Sequence, residues 1–214
     1  MEFRTLASCH RTNTKSRAKY YLTEEPNEDE DATTSSSDLV EVVDNKIYFS
    51  SNVNADSIHK TITELEKLIK KMQIFGITYG IRAPPITIYI NSDGGEVHAA
   101  LALFDYIKNS PVTINTIISG NASSAATIIS LSGHNRKITE NSYMLIHNIS
   151  SAFWGKMHEF EDEMKNMAKL TKNLKQIYKD RGSIDRKTLD SLLKKDLLLD
   201  AKTCLKYGFI DEIV

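Results

Sequence analysis

A chain of 214 residues with a formal net charge of -1 is long enough for one ordinary domain with a full hydrophobic core, plus a tail. The balanced charge gives no electrostatic footing for nucleic acid, and no apolar run reaches the roughly 18–20 residues of a membrane span. The two cysteines, Cys9 and Cys204, are far apart in dissimilar settings, which argues against a disulfide framework and fits a reducing, cytoplasmic compartment.

Residues 1–38 read as a charged tail, basic in its first half and acidic from Glu24 to Asp38, with almost nothing to bury. The opening residues lack the apolar core of a secretory signal. Order is expected from Leu39, so the folded domain spans 39–214. A short strand falls at 46–50. Asn54 or Asp56 can cap a helix running to about Met72, with Ile58, Ile62, Leu65 and Leu68 on one face. Residues 76–85 carry glycine and proline and read as a loop. A buried strand follows at 86–90. Gly94-Gly95 opens a helix that packs Val97, Ala100, Leu101, Leu103, Phe104 and Ile107 inward. A strand at 112–118 leads into a helix at 122–131. Residues 137–139 and 143–147 read as a pair of strands. A long amphipathic helix occupies 153–180, its apolar Met157, Phe160, Met164, Met167, Leu170, Leu174 and Ile177 stepping by three and four. Gly182 ends it. A short helix, a strand at 197–199, a helix from Ala201 and a strand at 209–214 complete an α/β pattern.

Three segments carry chemistry. Ser119-Gly-Asn-Ala-Ser-Ser-Ala-Ala126 joins a strand to a helix. A serine there has an exposed hydroxyl, and the helix N-terminus supplies N–H groups and partial positive charge where an oxyanion forms. Ser123 and Ser124 can also be plain helix caps, and the segment alone favours that role. Asn91-Ser-Asp-Gly-Gly95 is a second strand-to-helix junction, whose glycines permit positive φ and close backbone approach. His147 ends the apolar strand Tyr143-Met-Leu-Ile146, and Asp196 borders Leu197-Leu-Leu199. A serine, a histidine and a carboxylate are the set that acyl transfer through serine requires. Of the other histidines, His98 and His134 are reserve candidates for the base. No cluster has metal-ligand spacing.

Taken together, these segments resemble the ClpP family of serine peptidases over about residues 44–214. Ile88-Tyr-Ile-Asn-Ser-Asp-Gly-Gly95 is similar to the family's Tyr-Ile-Asn-Ser-Pro-Gly-Gly. Gly120-Asn-Ala-Ser-Ser-Ala-Ala126 is similar to its Gly-x-Ala-Ala-Ser-Met-Gly, which puts the nucleophile at Ser124 rather than Ser123. Met144-Leu-Ile-His147 matches its Met-Ile-His, and Lys195-Asp-Leu-Leu-Leu-Asp-Ala201 with Tyr207-Gly-Phe-Ile-Asp211 resembles its segment bearing the triad acid. The resemblance implies a crotonase-like spiral of ββα units with a protruding handle helix at about 153–181. It implies Ser124 as nucleophile, His147 as base, Asp196 as the orienting acid, and the N–H groups of Gly95 and Ala125 as the oxyanion hole. It further implies heptameric rings stacked by the handle into a closed chamber, with unfolded polypeptide fed by a Clp-class AAA+ ATPase. No Gly-x-x-x-x-Gly-Lys-Ser/Thr occurs, so no cofactor is expected in this chain and any ATP hydrolysis belongs to the partner.

The chain departs from the family pattern at several places, Ser123 for alanine and the lack of a clear match in residues 1–45 to the family's N-terminal axial segment among them. Asp93 replaces proline, which is expected to weaken or re-aim the oxyanion turn. Asn148-Ile-Ser-Ser-Ala-Phe153 replaces Gln-Pro and glycines in the segment that lines the family's substrate cleft. Ala125-Ala126 replaces Met-Gly, and residues 76–85 make a longer loop. Alternative functions are a capsid-maturation type protease, a catalytically silent subunit of a mixed ring, and a crotonase-type enzyme acting on acyl-CoA thioesters.

Overall fold

The computed structural model describes residues 39–150 and 154–214. The expected tail at 1–38 lies outside the described residues. The strands are β1 (Leu39–Val43), β2 (Lys46–Ser50), β3 (Ile86–Ser92), β4 (Ile114–Ser123), β5 (Arg136–Ile138), β6 (Tyr143–Leu145), β7 (Leu198–Asp200) and β8 (Glu212–Ile213). The helices are α1 (Ala55–Tyr79), α2 (Val97–Lys108), α3 (Ala125–Ser132), α4 (Met157–Arg181), α5 (Arg186–Leu192) and α6 (Ala201–Lys206).

The strands form one sheet ordered β1-β2-β3-β4-β5-β8, with β6 alongside β4 and β7 alongside β6. Strands β2, β3, β4 and β5 are parallel, as the helical crossovers between them require. The inward rows of β2, β3 and β4, including Ile47, Phe49, Ile86, Ile88, Ile90, Ile114 and Ile118, are wholly buried. Alternate residues Tyr48 and Tyr89 stack on the other face at 4.9 Å between ring centroids. The hydrophobic core is therefore one layer between the sheet and its helices, in keeping with the expected α/β class.

Several elements differ from expectation. Strand β1 pairs antiparallel with β2, where only β2 was expected. Of the two candidate caps for α1, Asn54 is used: its Oδ1 accepts from Ser57 N at 2.8 Å, and Asn54 N donates to Ser57 Oγ at 3.1 Å. The expected loop at 76–85 is half helix. Helix α1 continues through Gly76 to Tyr79 and ends at Gly80 with φ 63°. Gly76 is tolerated because the chain doubles back over it: a Cβ there would stand 2.9 Å from Ile81 O. The segments at 137–139 and 143–147 do not pair with each other. Both lie parallel to β4 at different heights, β5 beside Thr116–Ile118 and β6 beside Asn121–Ser123. Gly182 ends α4 in extended rather than left-handed backbone, and the last strand is confined to β8.

Helix α4 divides along its length. Tyr178 is buried and Leu174 and Ile177 pack against the core, whereas Met157, Phe160 and Met164 are exposed, as is the whole of Trp154 just before them. Its C-terminal end is tied down by Arg181, whose Nε donates to Leu131 O at 2.7 Å and whose guanidinium also donates to Gly133 O. Beside it, Arg136 pairs with Asp211 and donates to the carbonyls of Arg181 and Gly208.

Candidate active site

Ser124 is the single residue between β4 and α3. Strand β4 runs on to Ser123, past the expected strand end at 118 and the expected helix start at 122, and the whole change of direction falls on Ser124. Its φ of 53° and ψ of -122° lie in a region that non-glycine residues rarely occupy. The conformation is held from three sides. Ser124 N donates to Leu145 O at 2.8 Å, Thr127 N donates to Ser124 O at 3.0 Å, and Thr127 Oγ1 donates to the same carbonyl at 2.6 Å. All of α3 is buried, which leaves the junction no room to relax.

The two serines have different roles. Ser124 is half-buried and its side chain makes no cap bond to α3, so the capping role does not describe it. Ser123 is only 9% exposed, and its Oγ donates to Asn121 Oδ1 at 2.9 Å.

The glycine junction packs directly on the serine junction. A Cβ on Gly94 (φ 98°) would lie 2.5 Å from Ser123 O, 2.8 Å from Ser124 Cβ and 3.0 Å from Ala125 N. On its other side the turn is bonded to Val53, whose N–H donates to Gly94 O at 2.8 Å and whose carbonyl accepts from Glu96 N at 2.7 Å. In such a parallel bridge the central residue's own N–H points away from the partner strand, so the Gly95 N–H faces away from Val53. Ala125 N is the first amide of α3 and has no acceptor within the helix.

Histidine and aspartate are brought together by strand register. Strands β6 and β7 are antiparallel, with Leu145 opposite Leu198. The same register continued two residues sets His147 opposite Asp196. His147 Nδ1 is 3.7 Å from Asp196 Oδ1, an ion-pair separation longer than a hydrogen bond. The imidazole is 28% exposed and the carboxylate 82%. Just past the histidine, Asn148 N donates to Leu193 O at 2.8 Å, which holds the strand end beside the segment that carries Asp196.

The reserve histidines are placed elsewhere. His134 Nδ1 lies 3.1 Å from Ile114 N, at the start of β4, roughly 25–30 Å along the strand from Ser124. His98 lines a cavity of about 510 Å³ with Glu163, Asn166, Met167 and Leu170 of α4. A cavity of about 440 Å³ between α4 and α5, bordered by Thr171, Lys175, Leu189 and Asp190, contains neither Ser124 nor His147. Among the described residues no group of three or more His, Cys, Asp or Glu is set to hold a metal, and no helix is long and apolar enough to cross a membrane.

Two features near the serine escaped sequence reasoning. Tyr178 of α4 meets Thr127 through a 2.5 Å hydrogen bond between hydroxyls. The Thr127 proton is directed at Ser124 O, so Tyr178 is the donor. Burial pushes the Tyr178 hydroxyl up to about 12, against a smaller lowering by Thr127. The second is the partner of Asp93: its Oδ1 accepts from Asn121 Nδ2 at 2.7 Å. Tyr178 sits at a helical position that looks like plain core, and no local pattern marks Asn121.

The family model for Clp protease matches residues 32–214. The chain is similar to the ATP-dependent Clp protease proteolytic subunit of Deinococcus radiodurans, 31% identical over 131 residues, covering 60% of this chain and 64% of that protein. It is also similar to the ATP-dependent Clp protease proteolytic subunit of Streptococcus mutans, 35% identical over 133 residues, covering 60% of this chain and 68% of that one. The match thus spans less than two thirds of the length of the Deinococcus relative. A ClpP1 mutant from Listeria monocytogenes has the same fold, with a TM-score of 0.68 at 22% identity over 79% of this chain and 91% of that one.

Proposed function

The chain belongs to the Clp protease family, and from that premise we propose that it is a serine-type endopeptidase that cleaves unfolded polypeptide inside a self-compartmentalised oligomeric chamber. The observation that carries the reading is the conformation of Ser124, alone between strand and helix, uncapped, with Gly94 packed against it. In this reading Ser124 Oγ attacks the peptide carbonyl and forms a new C–O bond. His147 takes the hydroxyl proton and later delivers it to the leaving amine. Asp196 keeps the imidazole in the tautomer that presents its other nitrogen to the serine, and stabilises the imidazolium. The N–H groups of Gly95 and Ala125 receive the oxyanion, where loss of one donor costs roughly 3–4 kcal/mol of transition-state stabilisation. Water then hydrolyses the acyl-enzyme by the same route. Each group in this scheme is a side chain or amide of the chain, so the chemistry calls for no cofactor.

The exposed apolar half of α4 supports the chamber: Met157, Phe160 and Met164 on a protruding helix suit the stacking of two heptameric rings. In this reading polypeptide is delivered by a Clp-class AAA+ ATPase of the same cytoplasmic compartment, a partnership supported by the similarity to proteins named ATP-dependent Clp protease proteolytic subunits.

A second reading, a catalytically silent subunit of a mixed ring, is favoured by one observation, the 3.7 Å gap and high exposure at Asp196. Labelling with a fluorophosphonate probe, read by intact mass, separates the two. The peptidase reading expects one adduct on the wild type and on Ser123→Ala, and none on Ser124→Ala. A folded wild type that takes no adduct selects the silent subunit.

A further inference from the structure

We propose that Asp93 is a positioning residue for the oxyanion turn and acts through Asn121; the proposal rests on the hydrolytic reading of Ser124. Strands β3 and β4 lose register where the two junctions meet. Ile90 pairs with Ile118, but Ser92 pairs with Ala122, so β4 carries the extra residues of a bulge at 119–121. Bulges re-aim the segment that follows, which here is Ser123 and Ser124.

The bulge is held to the glycine junction by two contacts from its last residue, Asn121. Asn121 N donates to Asn91 Oδ1 at 3.1 Å, and Asn121 Nδ2 donates to Asp93 Oδ1 at 2.7 Å. The Asn121 amide is itself oriented, because its Oδ1 accepts from Ser123 Oγ at 2.9 Å. A chain of hydrogen bonds therefore runs Ser123–Asn121–Asp93. It begins one residue before the proposed nucleophile and ends one residue before Gly94.

This chain accounts for two departures from the family pattern together. Asp93 stands where the pattern has proline, and Ser123 where it has alanine. A proline restrains this turn through its ring. Here the restraint comes from a side chain, a carboxylate anchored on the serine strand. The expected weakening of the oxyanion turn by Asp93 is thus replaced by a clamp: the charge is directed at Asn121 Nδ2, and the backbone of residues 93–95 is pinned against Ser124.

The test uses the full-length protein and a fluorogenic peptide. Asp93→Ala and Asn121→Ala are each expected to lower kcat by about tenfold to a hundredfold with KM changed less than twofold, because misplacing donors weakens transition-state contacts rather than binding. The double variant is expected to be no worse than either single, since both break one link. Asp93→Asn keeps an acceptor at the same position and is expected within threefold of wild type. An unchanged kcat in Asp93→Ala, multiplicative losses in the double variant, or Asp93→Asn as impaired as Asp93→Ala would each overturn the clamp. Amide hydrogen exchange over residues 91–96 reads the clamp independently of catalysis. Faster exchange in Asp93→Ala supports it, and unchanged exchange refutes it. An inactive wild type with faster exchange in the variant removes the hydrolytic reading while the clamp stands.

Discussion

His147 Nδ1 lies 3.7 Å from Asp196 Oδ1, because the antiparallel ladder of β6 and β7 carries the two residues to opposite positions just beyond its last pair. The separation is longer than a hydrogen bond, and the aspartate side is open to solvent. Buried triad aspartates are worth about 10⁴ in kcat. An exposed carboxylate is screened by water and ions, so Asp196→Asn is expected to lower kcat by roughly 10²–10³, less than His147→Ala, which is expected to match Ser124→Ala. Steady-state kinetics of the three variants checks the ranking. Equal losses in all three would show that the aspartate closes on the histidine when substrate binds.

Gly94 meets the serine turn without a side chain, at φ 98°. Gly94→Ala forces a Cβ to within 2.5 Å of Ser123 O, and the backbone conformation alone costs about 1–2 kcal/mol. The carbonyl it strikes belongs to β4 in the middle of the sheet and cannot yield cheaply. Thermal melting is expected to show the loss of stability, with fluorophosphonate labelling lost in the fraction that remains folded. Labelling at the wild-type rate would mean that the two junctions act independently.

Tyr178 sets an alkaline limit on stability. Its hydroxyl rises from 10.0 to about 12 through burial, and Cys204 rises from 9.0 to about 12, again chiefly through burial. Both groups are accommodated in their neutral forms, so their folded values lie above the unfolded ones. Their stabilisation is full below about pH 9 and drains away as pH climbs towards 12, the tyrosine accounting for about 3 kcal/mol between 10 and 12. Tyr178→Phe is expected to cost about 1 kcal/mol at neutral pH and to flatten the decline above pH 10. Urea melts from pH 8 to 11.5 measure this. An unchanged slope above pH 10 would contradict a buried neutral tyrosine.

The exposed stripe of α4 is a test of assembly. Met157 and Met164 are 76% and 58% exposed. Covering such a side chain is worth roughly 1.5–3 kcal/mol. If the proposed chamber forms, Met164→Glu is expected to shift sedimentation from stacked towards single rings while leaving the melting temperature of the fold within a few degrees. A sedimentation profile identical to wild type would assign ring stacking to another surface.

Much of this molecule is readable locally. The alternation of strands and helices, the Asn54 cap, the helix after Gly94-Gly95 and the amphipathic run of α4 follow from periodicity and turn chemistry, which depend on neighbours a few residues away. So does the order of serine, histidine and aspartate, each at the edge of a regular element. Other features are set at long range. Strand β1 is a short edge strand with four of its five residues exposed, and it is defined by its pairing with β2 and by the one buried side chain, Val40. Gly76 reads as a breaker, yet the returning segment at Ile81–Ala83 needs its missing side chain and keeps it helical.

The amino-acid sequence by itself carried the α/β class, because periodicity survives without a fold, and its resemblance to the ClpP family singled out the candidates Ser124, His147 and Asp196. Tertiary structure alone decided which serine occupies the junction at φ 53°, since a strained residue persists only where surrounding contacts over-determine it. It also decided that Asp196 faces His147 and that Asp93 reaches Asn121. Both juxtapositions come from the register between strands distant in the chain, and register is a property of the whole sheet.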